Sequence, residues 1–173
     1  LRSTAGLVAA SRQLKGDSGD AFRKLVPATA WQESCWRQFV ARAGEVTYIR
    51  SSRGSVGIMQ VNERVWRGFY DAHRLRWDVS YNARAGAEIL EQYFASAQDR
   101  MPVAEKDSKR LALATYAAYN GGPQQLRRYL DTKRKPSRAL ARVVDKLFGE
   151  KFDAPDGELE AKVSGCLTGG GIG

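Results

Sequence analysis

A chain of 173 residues is long enough to bury one substantial core and short enough to be read as a single domain over residues 1–173. Lys and Arg number 28 against 19 Asp and Glu, a net charge of +9 with arginine predominating, which suits an anionic partner: nucleic acid, a membrane surface or an acidic cell-wall polymer. No apolar run reaches the length of a membrane span, and the absence of an initiator Met and of a signal peptide reads as a mature chain or an excised domain.

In chain order, residues 1–15 are predicted helical, with Ser3 as N-cap and Leu7, Val8 and Leu14 as apolar positions. Lys15-Gly16-Asp17-Ser18-Gly19 is a turn, and a second helix is expected from about Asp20 towards Trp36. Pro27 either kinks it or opens a further helix. A helical period carried back from Glu33 puts Ala30, Thr29, Val26 and Phe22 on one stripe. A carboxyl group on such a face is partly desolvated, which raises its pKa and keeps it protonated as a general acid near neutral pH. A glutamate pointing into water at a helix end is the commoner arrangement, and this stretch alone favours it.

Val46-Thr47-Tyr48-Ile49 has strand-like composition, and a small β element is expected within residues 44–62. Gly54-x-x-Gly57 followed by Ile58-Met59-Gln60 lacks the Gly-Lys-Ser/Thr ending of a phosphate loop. Val61 to Trp66 reads as the start of a short helix. Trp66, Phe69, Tyr70 and Trp77 form an aromatic group, read as core for the most part although aromatic rings also stack on sugars. His73 is the only histidine and has no partner motif, so no metal site is expected.

Asp78 is the expected N-cap of a helix to about Ala97, with Asn82, Gly86, Ile89, Leu90 and Tyr93 inward. Gly86 is expected to admit the backbone of another helix. After a loop at residues 100–106, the alanine-rich helix from Leu111 to Tyr119 suits a central, closely packed position. Asn120-Gly121-Gly122 ends it and Pro123 opens the next helix. Lys133-Arg134-Lys135-Pro136 reads as a solvated basic turn, Ser137 to Phe148 as a last amphipathic helix, and residues 153–173 as irregular.

Glu33-Ser34, the Gly54-to-Gln60 segment and Ala118-Tyr119-Asn120-Gly121-Gly122-Pro123, in that order over about half the chain, resemble the catalytic domain of soluble lytic transglycosylases (SLT-type, goose-lysozyme-like, glycoside hydrolase family 23). The resemblance implies an α+β, mostly α, lysozyme-like fold with a small β element. It implies an enzyme that cuts the β-1,4 bond between N-acetylmuramic acid and N-acetylglucosamine in peptidoglycan and leaves a 1,6-anhydro product. Glu33 would be the sole general acid and base. Ser51, Gln60, Asn62, Tyr119 and Asn120 match substrate-binding positions, with the Tyr119 hydroxyl facing the acid. No metal or organic cofactor is implied, the partners are glycan strands rather than nucleic acid, and the location is the periplasm or cell envelope. The sequence departs from the family pattern in that Glu33 and Ser51 are 18 positions apart, a span that the family covers more closely. In the oxidising compartment of an exported enzyme, Cys35 and Cys166 lean towards a disulfide, two free thiols being the alternative.

Two other readings remain. A hydrolytic muramidase of the goose-lysozyme type needs a water-activating carboxylate ahead of the glycine loop, where the only acidic residue between Glu33 and Gln60 is Glu45. A non-catalytic glycan- or nucleic-acid-binding module draws only on charge and aromatic residues, and no nucleic-acid signature accompanies them.

Overall fold

The computed structural model describes residues 1–102, 107–131, 137–155 and 166. Helix α1 (Arg2–Ser11) is followed by α2 (Gly16–Ser34). Two antiparallel hairpins come next, β1 (Phe39–Arg42) with β2 (Glu45–Tyr48), and β3 (Ser55–Val56) with β4 (Val61–Asn62). The described elements that follow are helices: α3 (Ala72–Trp77), α4 (Val79–Arg100), α5 (Ser108–Gly121), α6 (Pro123–Leu130) and α7 (Arg138–Ala141). The last runs without a break into a π-helical segment, Arg142–Phe148, and then α8 (Gly149–Phe152). This is the mostly α lysozyme-like fold with a small β element.

The alanine-rich α5 lies at the centre and packs against α2, α4, α6, the π-helical segment and α8. Ala112, Ala114, Ala117 and Ala118 are fully buried, and their short side chains let the neighbouring helices approach. The stripe read from α2 is buried as expected, with Phe22, Val26, Thr29 and Ala30 wholly inaccessible. Phe22 meets Phe94 of α4 edge-on at 5.6 Å. Asp78 caps α4 through the Tyr81 N–H at 2.9 Å, and Pro123 opens α6 at its first position.

Several local expectations are corrected. Ser3 is not a cap, because α1 starts at Arg2 behind Leu1. Pro27 lies inside a continuous α2 and does not divide it. Val61 to Trp66 does not start a helix: Val61 and Asn62 pair with Val56 and Ser55, and only turns follow. The first hairpin begins at Phe39, ahead of the expected stretch, with Phe39 opposite Tyr48 and Arg42 opposite Glu45. Phe69 and Trp77 are exposed, while Trp66 and Tyr70 are half-buried against the core. Gly86 faces the Met59 side chain and not a helix backbone: a Cβ there would lie 2.5 Å from Met59 Cβ. The basic turn at Lys133-Arg134-Lys135-Pro136, and the tail apart from residues 153–155 and 166, lie outside the described residues.

Candidate active site

Glu33 is the penultimate residue of α2, and the helix stops just beyond it because Cys35 and Trp36 both turn left-handed, at φ 53° and 57°. Their N–H groups return to the Trp31 and Ala30 carbonyls. The following residue, Ser34, is buried and its hydroxyl donates to the Ile58 carbonyl at 2.6 Å. One hydrogen bond therefore locks the end of α2 to the loop between β3 and β4.

That loop is held from below by two buried amides. The Asn82 amide accepts from Met59 N–H at 2.9 Å and donates to the Val56 and Leu75 carbonyls. Gln38 accepts from Ile58 N–H at 2.7 Å and donates to the Leu75 and Arg76 carbonyls. Both amides press against Gly57, whose φ is +74° and where a Cβ would stand 2.3 Å from Asn82 Nδ2 and 2.5 Å from Gln38 Oε1. Only glycine meets both demands. The glycine motif thus serves to bring backbone close to a hydrogen-bonding scaffold, a requirement unrelated to phosphate binding.

The Glu33 carboxyl is met from α5. The Tyr116 hydroxyl donates to Glu33 Oε1 at 2.8 Å, and the exposed Asn120 amide bonds the same carboxyl. Burial pushes the Glu33 pKa from 4.5 up to about 7, and the bonds from Tyr116 and Asn120 offset part of that rise. The position at a helix C-terminus, where carbonyl oxygens collect, disfavours the anion further. Tyr116 is itself fully buried and its hydroxyl is pushed well up by burial and by Glu33.

Tyr119 does not make this contact, contrary to expectation. Its hydroxyl donates to the Met59 carbonyl at 2.7 Å, so it braces the loop and leaves the acid to Tyr116. The spacing offered a signal, since residues four apart share a helix row and Asn120 lies above Tyr116. The structure therefore brings together Glu33, Tyr116 and Asn120, and beside them Gln60, Met59 and Tyr119. Gln60 is half-buried at φ 51°, with its amide N–H donating to the Gly57 carbonyl at 2.9 Å.

Ser51 and Asn62 are tied into the second hairpin. The Ser51 hydroxyl accepts from Ser55 N–H at 3.0 Å. Asn62 donates to the Arg53 carbonyl and accepts from Arg64 and Val65 N–H. Glu45 is exposed at the end of the first hairpin, and Glu63 is engaged by Arg50 at 2.9 Å and Arg76 at 2.5 Å. Cys35 and Cys166 form a disulfide with Cα atoms 5.9 Å apart, in an apolar cluster with Trp31, Trp36 and Ala154. Among the described residues no group of His, Cys, Asp and Glu is arranged to hold a metal ion.

The family model described as "Transglycosylase SLT domain" matches residues 17–141, which take in α2 from its second residue, both hairpins and α3 to α7. The chain belongs to the SLT transglycosylase family. Comparison with curated proteins and with solved structures gave no match. Family membership carries a transglycosylase-type activity on peptidoglycan, and the acid on α2 and the loop under it both fall inside the matched region. No helix among the described residues is long and apolar enough to cross a membrane.

Proposed function

We propose that this SLT domain is a lytic transglycosylase in which Glu33 alone carries the proton transfers. The observation that supports it is the carboxyl pushed up to about 7, held by a hydroxyl and an amide and half-buried at a helix end. An acid with that pKa is about half protonated near neutral pH, so it can give a proton and still return as a base, the balance that general acid–base catalysis needs.

Protonated Glu33 donates to the oxygen of the β-1,4 bond as the bond to the muramic acid C1 breaks. Glu33, now a carboxylate, takes the proton from the muramic acid 6-hydroxyl while that oxygen bonds to C1. The products are a free 4-hydroxyl on N-acetylglucosamine and a 1,6-anhydro ring, with no water consumed and the acid restored. Glycosidases of the ordinary kind use two carboxylates, and some families use the substrate's N-acetyl group in place of the second. The family resemblance implies that substrate-assisted route, and the other acids near the loop suit it: Glu45 is exposed and Glu63 is held by two arginines.

Asn120, exposed beside Glu33, and Gln60 at the loop are the side chains best placed to meet a sugar. Tyr119 supports the loop between β3 and β4 through the Met59 carbonyl. Ser51 and Asn62 bind through the hairpin surface that they shape. The substrate lies in the periplasm or cell envelope, where this single domain works without metal or cofactor.

Mass spectrometry of muropeptides released from purified sacculi tests the reading. Anhydro products from wild type, absent with Glu33→Gln, are expected. Products heavier by one water would make the protein a hydrolytic muramidase, and release of nothing by folded wild type would leave a binding module.

A further inference from the structure

The family match stops at residue 141, yet three side chains from beyond it converge on the helix end that carries Glu33. Phe148, at the end of the π-helical segment, lies face to face with the Tyr116 ring, centroids 4.0 Å apart and planes within 9°. Both rings are fully buried. Lys151 of α8 donates to Gln32 Oε1 at 2.8 Å and to the Leu147 carbonyl at 3.1 Å, with its ammonium 5.5 Å from the Trp31 ring centre. Cys166 is bonded to Cys35, two residues after Glu33. The contacted residues are Gln32 and Cys35 on either side of the acid, and Tyr116, its hydrogen-bond donor.

A single contact of this kind is ordinary packing. Three from one short segment, a stacked ring, a bond from a charged amine and a covalent link, constrain α2 and α5 relative to each other at the point where Tyr116 meets Glu33. The π-helical segment supplies the geometry. Its wider turn puts Val144 and Phe148 both fully buried beneath α5, and such segments recur at functional sites.

We propose that residues 142–155, together with Cys166, form a positioning clamp for Glu33: Phe148 fixes the Tyr116 ring, Lys151 fixes Gln32 and Cys166 fixes Cys35. None of the three is a catalytic residue; each acts through a neighbour of the acid. Among the described residues, the titratable groups facing Glu33 are Tyr116 and Tyr119, both on α5. Loosening the clamp weakens the Tyr116 bond, which favours the anion, so the Glu33 pKa rises. The catalytic consequence rests on the reading of Glu33 as the acid; the positioning itself does not.

The test is therefore read first on the carboxyl, by carbon-13 NMR titration of Glu33 in the full chain. Phe148→Leu is expected to raise its pKa by about half to one pH unit, the size of one ordinary hydrogen bond. Phe94→Leu, at another fully buried phenylalanine with an aromatic partner, should leave the Glu33 titration in place. If Phe148→Leu leaves the titration at its wild-type position, or Phe94→Leu moves it equally, the clamp is refuted. On sacculi, Phe148→Leu should lower kcat about five- to tenfold with KM changed less than twofold, consistent with loss of one hydrogen bond that orients the acid. Should that variant fail to fold, the wild-type chain with and without reductant gives the same reading: opening the disulfide should move the Glu33 titration upward, and an unmoved titration overturns the proposal. Retained activity in Glu33→Gln would instead remove the catalytic assignment and leave the clamp to stand or fall on the titration.

Discussion

Glu33 and Glu63 are both withdrawn from water, and they are treated in opposite ways. The side chain of Glu63, 8% exposed, accepts two bonds from Arg76, from Nε and Nη2, and a third contact from Arg50. Its negative charge is matched by cations, and the result ties the second hairpin to β2's end and to α3. Glu33 is offered a phenol and an amide, which donate hydrogen bonds but supply no compensating charge. Burial alone does not make a proton donor; what decides is whether the partners are charged. The first arrangement holds a carboxylate for structure, the second holds a carboxyl poised to exchange its proton.

The comparison breaks most directly on turnover. Glu33→Gln keeps the shape but can neither give nor take the proton, and turnover on sacculi should fall by on the order of 10²–10⁴. Glu63→Gln should leave turnover within severalfold in the folded protein. Abolished activity in Glu63→Gln with Glu33→Gln active would invert the assignment.

Stability should sort the pair as well. Folding raises the Glu33 pKa from 4.5 to about 7, so the native state holds a proton in that window that the unfolded chain releases. Stability therefore falls as pH rises from about 4.5 to 7 and levels off above it, a loss of up to roughly 3 kcal/mol. Glu33→Gln should remove that slope and be the more stable protein above pH 7. Glu63→Gln should be less stable than wild type near neutrality by about 1–3 kcal/mol, below the cost of breaking a fully buried pair because both arginines reach solvent. Urea melts of the three proteins at several pH values measure both effects.

A smaller effect is expected from the hydroxyl. Tyr116→Phe should lower kcat about tenfold, the ~1.4 kcal/mol of one hydrogen bond, and shift the alkaline limb of the kcat/KM profile above its wild-type midpoint of about 7. An unchanged profile would mean that the bond seen at 2.8 Å does not tune the acid. The smallest effect is expected at Glu45, exposed in the first hairpin, where Glu45→Gln should leave the rate of anhydro-product formation unaltered. A loss there would point to a second carboxylate and a hydrolytic route.

Much of this was legible in the sequence because it depends on neighbours along the chain. The buried stripe ending at Glu33 follows from helical periodicity, the Asp78 cap from side-chain chemistry, and the start of α6 from proline's fixed φ. The need for glycine at residue 57 is written in the motif, although the reason, two buried amides from α4 and the segment after α2, is not. The tertiary structure decided which tyrosine serves the acid. Tyr116 and Tyr119 are neighbours on one helix surface, about 60° apart around the axis, and local spacing makes them near equivalents. The rotation of α5 between α2, α4 and the π-helical segment separates them, sending one hydroxyl to Glu33 and the other to the Met59 carbonyl. Such a rotation is set by how buried alanines let whole helices approach, a sum over contacts distant in the chain, and periodicity along one helix carries no record of it.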